Sequence, residues 1–256
     1  VWKTAAPMLA AAGFHVIAVD LLGFGYSEKP RWFDYSIQSQ ARMISRLMGR
    51  LGIGRATVVG SSYGGAVALN LTLDYAEMVE KLVLVDAVCN DEPKEHPLLR
   101  LTSIPGVGEA VTPFLIDSKM FLRLRMQGTL AKANHHMITE ERIESIRRPL
   151  FAADAHHSVL ATARNWHADR LEQDANLINQ PTLIIWGDQD TVIPIKHGYK
   201  MHEEILNSRF VILKDCGHVP QEEKSELFVE LVTEFCHDRK GRIAAKDDDT
   251  KLEQIM

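Results

Sequence analysis

The chain has 256 residues, 46% hydrophobic and 25% charged, enough to bury the core of one globular unit rather than a string of small modules. A formal net charge of −5 provides no basic footprint, which argues against a nucleic-acid partner or an anionic membrane surface and favours a small-molecule substrate. Charged residues interrupt every hydrophobic run, so no membrane span is expected. Cys89, Cys216 and Cys236 form an odd set without paired or metal-like spacing, which points away from a disulfide framework and toward a reducing, cytoplasmic setting.

Trp2 to Ala12 reads as an amphipathic helix, and His15-Val16-Ile17-Ala18-Val19-Asp20 as a short strand buried on both faces and ending in an acid. Leu21 to Pro30 is a glycine-punctuated loop. From Ser36 to Leu51 the residues Ile37, Met43, Ile44, Leu47, Met48 and Leu51 recur near helical spacing, as in a surface helix with one buried stripe. Ala56-Thr57-Val58-Val59 predicts a strand, Gly60-Ser61-Ser62-Tyr63-Gly64 a sharp turn, and the small residues from Gly65 onward a helix to about Tyr75. Leu82-Val83-Leu84-Val85 predicts another buried strand, closed by Asp86. This alternation implies an α/β fold with a parallel sheet covered on both faces and ligands at the carboxyl ends of the strands.

Between Cys89 and about Asp169 the pattern turns helical, opened by the proline-rich stretch from Asp91 to Pro97, and residues 90–169 read as an inserted helical lid. Met120, Phe121, Leu122, Leu124 and Met126 are expected on its underside. Alternation resumes with the strand Thr182-Leu183-Ile184-Ile185-Trp186, a helix from about Lys196 to Leu206, the strand Phe210-Val211-Ile212-Leu213, and a helix carrying Leu227, Phe228, Leu231, Val232 and Phe235. Residues 1–89 and 170–237 thus form the expected core, and 238–256 a polar, solvated tail that includes Asp247, Asp248 and Asp249.

A serine between glycines on a strand-turn-helix junction has its hydroxyl exposed, which makes Ser62 the candidate nucleophile. A serine hydroxyl is weak at neutral pH and needs a base to take its proton and an acid to orient that base. Two segments leave strand ends on the same sheet edge: Gly187-Asp188-Gln189-Asp190 and Asp215-Cys216-Gly217-His218-Val219-Pro220. His218 is the candidate base, and Asp188, Asp190 and, from an earlier strand end, Asp86 are candidate acids. The tandem pairs His135-His136 and His156-His157 point in different directions on a helix and are read as surface or pocket polarity rather than a metal clasp.

With the order Ser62, acid, His218, the chain resembles the α/β-hydrolase superfamily. The resemblance rests on Val19-Asp20-Leu21-Leu22-Gly23-Phe24-Gly25-Tyr26-Ser27, the serine turn with Gly65, Trp186-Gly187-Asp188-Gln189-Asp190, and Gly217-His218-Val219-Pro220. It implies the α/β-hydrolase fold with Asp190, rather than Asp188, as the triad acid. It also implies the backbone amide of Tyr63 as one oxyanion donor, a second from a His-Gly loop upstream of the first helix, and a strand before that loop, between the strand at His15 and the one before Ser62. Those N-terminal parts are expected ahead of Val1, so the sequence is read as lacking them.

The first functional expectation is a lidded serine esterase acting on a small or medium apolar carboxylic ester through an acyl-enzyme on Ser62, with no cofactor and no metal. The second is a carbon–carbon bond hydrolase, because Met137-Ile138-Thr139-Glu140-Glu141 in the lid is similar to the meta-cleavage product hydrolases. Those relatives tend to carry an aromatic residue after the catalytic His and a lid arginine for the substrate's carboxylate, whereas here Val219 follows His218 and Arg147 and Arg148 are only loosely placed. The third is a non-catalytic binding module or an inactive fragment of the same fold, and oligomeric state is left open.

Overall fold

The computed structural model describes residues 1–92, 97–238 and 253–255. Its sheet has the order β1-β2-β3-β4-β5, all parallel, from β1 (Ala56–Ser61), β2 (Val79–Val85), β3 (Thr182–Gly187), β4 (Ser208–Leu213) and β5 (Glu253–Ile255). Helices α1 (Ala5–Ala11) and α2 (Ile37–Arg50) precede β1, and α3 (Tyr63–Asp74) joins β1 to β2. Between β2 and β3 lie α4 (Pro97–Ser103), α5 (Val107–Ile116), α6 (Lys119–Thr129), α7 (Glu140–Arg147), α8 (Ala155–Arg164) and α9 (Asp169–Gln173). Helix α10 (Lys196–Glu204) joins β3 to β4, and α11 (Pro220–Glu223) and α12 (Ser225–His237) follow. Among the described residues, no helix is long and apolar enough to cross a membrane.

The two-residue period of a strand sorts the central side chains into two cores. Leu82, Leu84, Ile184, Trp186, Phe210 and Ile212 pack with α2, α3 and α10 on one face, whereas Val83, Val85, Leu183, Ile185, Val211 and Leu213 pack with α1 and α12 on the other. Burying each such side chain on folding is worth about 1.5–3 kcal/mol, so strands covered on both faces hold the sheet's centre. Helix α3 sits flush because it is built from small and apolar residues, Gly65 to Thr72 being buried without a break. Helix α2 instead shows a single stripe, and its first turn is capped by Ser36, whose Oγ accepts from the Ser39 N–H at 3.2 Å.

Two expectations change. His15 to Asp20 is not a strand: it lies outside the sheet, with Ile17 44% and Val19 38% exposed. A strand requires a neighbour for its backbone groups, and among the described residues β1 pairs with β2 alone, leaving its outer edge without a strand between it and the 15–20 run. The tail departs from a wholly solvated terminus at Glu253–Ile255, which pair with Val211, Ile212 and Leu213 as β5; residues 239–252, with Asp247 to Asp249, lie outside the described residues, as do 93–96 of the proline-rich stretch. In the helical segment, Leu122 and Met126 are buried, but Met120 and Leu124 face solvent at 72% and 59% exposure.

Three glycines of the serine turn differ in what they do. A Cβ on Gly60 would stand 2.4 Å from the Gly64 carbonyl oxygen, and one on Gly65 would stand 2.4 Å from Ala87 Cβ, whereas one on Gly64 meets nothing within 4 Å. Gly65→Ala is therefore expected to lower stability by about 1–3 kcal/mol through overpacking against the chain after β2. Gly64→Ala, at an open position near the start of α3, is expected to leave the melting temperature unchanged or raise it. Thermal melts of the two variants beside the wild type check both.

Candidate active site

At the carboxyl end of β1 the chain turns into α3 through Ser62, whose φ of 53° and ψ of −121° lie outside the regions that side chains normally occupy. The turn is held on both sides: the Ser62 N–H donates to the Val85 carbonyl at 3.0 Å, and the Ser62 carbonyl accepts from Val88 at 3.1 Å and from Gly65 at 2.9 Å. Strand β2 thus clamps the turn, and the glycines at 60 and 65 let the backbones close on it.

The loops after β3 and β4 bring Asp190 and His218 to the serine. His218 Nε2 lies 2.9 Å from Ser62 Oγ, and its Nδ1 lies 2.8 Å from Asp190 Oδ2. Both ring nitrogens are thereby committed, one to the hydroxyl and one to the carboxylate. Asp190 is fixed in turn, because its Oδ1 accepts from the backbone N–H groups of Val192 at 2.7 Å and Ile193 at 3.1 Å. Its side chain is fully buried, and that of His218 is 8% exposed.

The alternative acids occupy other places. Asp188 is exposed and its Oδ1 accepts from the Cys216 N–H at 3.1 Å, so it ties the β3 loop to the β4 loop. Asp86 is completely buried at the end of β2, where its Oδ1 accepts from the Gly187 N–H at 3.0 Å. Burial and the neighbouring Asp190 charge hold the Asp86 carboxyl well above the ordinary carboxylate range, partly opposed by the Gly187 N–H.

Tyr63 opens α3, so its backbone N–H belongs to the first turn, where helical N–H groups have no partner inside the helix. Tyr63 follows Ser62 directly in the chain. The Tyr63 hydroxyl donates to the Tyr35 carbonyl at 3.0 Å, and its ring lies 5.8 Å from that of Phe24 and 5.5 Å from that of Trp166, giving the turn an aromatic flank. Burial raises the Tyr63 phenol above its usual range, so it stays neutral.

Glu223 has a positioning role that the sequence pattern did not reveal. Its Oε1 accepts from the Gly217 N–H at 3.0 Å, and its Oε2 accepts from the Ala131 N–H at 2.9 Å and from Asn134 Nδ2 at 2.7 Å. The His218 N–H donates to the Thr129 carbonyl at 2.8 Å, and Thr191 Oγ1 donates to the Gly128 carbonyl at 2.6 Å. The loops that carry Asp190 and His218 are therefore fastened to the end of α6. The available signal was a glutamate following Gly217-His218-Val219-Pro220 at one helical turn.

The histidine pairs bond within the helical segment: His135 Nε2 to the Gln127 carbonyl at 3.0 Å, and His156 Nε2 to Asp117 Oδ1 at 3.3 Å. Arg147 donates from Nε to the Asp117 carbonyl at 2.8 Å and stacks over Phe151. Arg148 lines an open cleft with Tyr26 and Phe151.

A family model described as the alpha/beta hydrolase fold matches residues 1–225, and the chain belongs to that family. It is similar to the uncharacterized hydrolase YugF of Bacillus subtilis, 29% identical over 227 residues, which cover 87% of this chain and 80% of that protein. It is also similar to a 2-hydroxymuconate semialdehyde hydrolase of Pseudomonas putida, 31% identical over 226 residues, covering 86% and 76% of the two chains. Among solved structures, a thermophilic esterase from Thermogutta terrifontis superposes with a TM-score of 0.76 at 26% identity, covering 94% of this chain and 85% of the esterase.

Glu223→Ala leaves the Gly217 and Ala131 N–H groups without their acceptor. The expected cost is about 1–3 kcal/mol, seen as a lowered denaturation midpoint in a chemical unfolding titration.

Proposed function

We propose that this α/β hydrolase is a serine hydrolase that cleaves a small or medium, mainly apolar carboxylic ester through an acyl-enzyme on Ser62. The observation that carries this reading is the unbroken relay from Ser62 Oγ to His218 at 2.9 Å and from His218 to Asp190 at 2.8 Å, on a backbone turn that no ordinary helix cap requires. Helix caps use extended backbone, whereas Ser62 has a φ of 53° and makes no side-chain cap bond.

In this reading His218 Nε2 accepts the Ser62 hydroxyl proton as Oγ bonds to the ester carbonyl carbon, and Asp190 stabilises the imidazolium. The carbonyl oxygen, now an oxyanion, meets the Tyr63 backbone N–H. His218 returns the proton to the alkoxide as the carbon–oxygen bond breaks, releasing the alcohol and leaving Ser62 acylated. Water, losing a proton to the same nitrogen, repeats the sequence and frees the acid. The aromatic flank of Phe24, Tyr63 and Trp166 favours an apolar substrate, and the helical segment over the strand ends serves as a lid.

The second reading is hydrolysis of a carbon–carbon bond in a dienoic diketone. It is supported by the identity to the 2-hydroxymuconate semialdehyde hydrolase and by Arg148, a cation on an open cleft with Tyr26 and Phe151. The ester reading is preferred because Val219 stands where those relatives tend to carry an aromatic residue.

Treatment with a fluorophosphonate is expected to add one adduct mass to the wild type and none to Ser62→Ala. Asp190→Asn, which presents the wrong tautomer to His218, is expected to slow labelling by about 10⁴-fold, whereas Asp188→Asn stays within a few-fold of wild type. A panel of aryl esters of increasing acyl length, run beside a dienoic diketone, separates the two chemistries: turnover of the diketone alone would replace the first reading with the second. A folded wild type that takes no adduct would instead favour a binding module without catalysis.

A further inference from the structure

The site contains a buried acid that the relay does not use. Asp86 is 0% exposed, its backbone is held at a φ of 41°, and its Oδ2 is buried without a hydrogen-bond partner. A carboxyl oxygen of Asp86, one of Asp190 and a ring nitrogen of His218 all lie within 4.8 Å of one another. Two carboxyl groups this close in a buried pocket do not both ionise, because each charge would be desolvated and would face the other.

Which of the two keeps the proton follows from their donors. Asp190 receives three hydrogen bonds, from the N–H groups of Val192 and Ile193 and from His218 Nδ1. Asp86 receives one, from Gly187, on its other oxygen. The negative charge belongs where the donors are, and the proton belongs on the unpartnered Oδ2.

We infer that Asp86 is a positioning residue of this site: its protonated Oδ2 donates a hydrogen bond to Asp190, so that one shared charge orients His218. This rests on the reading of Asp190 and His218 as acid and base. The groups facing Asp86 agree with it from every side. Asp190 and the Gly187 N–H come from the β3 end, His218 and Cys216 from the loop after β4, and Glu223 from α11. None of them is a cation with a fixed charge. The direction of its titration agrees as well: burial first, then Asp190, push the Asp86 carboxyl well above the ordinary range.

The stability sign follows. Unfolded Asp86 releases its proton near pH 3.9, whereas folded Asp86 keeps it, so between that pH and its raised folded value the native chain binds more protons. Wild-type stability therefore falls, relative to Asp86→Asn, as pH rises through that window.

The test is infrared spectroscopy of the full chain near neutral pH, with labelling of Ser62 by a fluorophosphonate as the functional arm. A carboxylic-acid carbonyl band is expected in wild type and Ser62→Ala and absent in Asp86→Asn. Asp86→Ala, which loses the donor, is expected to label about tenfold more slowly, and Asp86→Asn, which restores an N–H donor facing Asp190, to recover most of that rate. The melting temperature of Asp86→Asn minus that of wild type is expected to widen from pH 4 to pH 7, and this reads the proton even where Asp86→Ala does not fold. Labelling of wild type without an Asp86-dependent acid band, or a melting difference independent of pH, overturns the inference alone. No labelling of folded wild type overturns the hydrolase reading and this inference with it.

Discussion

The structure depends on one strained turn. Ser62 sits at a φ of 53° because its N–H and carbonyl are both held by the chain on either side of β2's end, and because a side chain at position 60 or 65 would collide with that closure. Conformational strain of this kind costs about 1–3 kcal/mol and persists only where surrounding packing over-determines it. That packing is supplied by α3, buried from Gly65 to Thr72, and by the two-faced burial of β2. What the strain achieves is direction: the hydroxyl projects from the sheet edge toward the loops after β3 and β4.

Those loops have little regular structure and would ordinarily be the mobile part of a parallel sheet's edge. Here each is tied to the end of α6, through Thr191 and Gly128, and through His218 and Thr129, with Glu223 joining Gly217 to Ala131. The helical segment therefore does more than cover the strand ends. Its α6 end is hydrogen-bonded to the same loops that place Asp190 and His218 beside Ser62.

Much of this was legible in the sequence because it depends on local patterns. The apolar runs at Leu82 to Val85, Thr182 to Trp186 and Phe210 to Leu213 became strands because continuous apolar segments bounded by turn residues have few other ways to be buried on both sides. Ser62, Asp190 and His218 were found as three strand-end residues on one edge, and the structure brings those three together. The preference for Asp190 over Asp188 came from family resemblance, and it took hydrogen-bond geometry to give Asp188 its own partner, Cys216. His15 to Asp20 does not form the expected strand because apolar content alone does not make one; pairing does, and among the described residues no strand pairs with it. The partners of Glu223 and the orphaned oxygen of Asp86 are not legible in the sequence, because the contacts span about 90 residues in one case and about 100 in the other, which no spacing rule records.

The most direct measurement is rapid acid quench of the wild type mixed with an aryl ester, followed by mass spectrometry of the peptide that carries Ser62. An acyl mass on Ser62 is expected within the first turnover, matched by one equivalent of released phenol and absent from Ser62→Ala. Release of phenol by folded protein with no acyl mass on Ser62, or an undiminished release from Ser62→Ala, would contradict it.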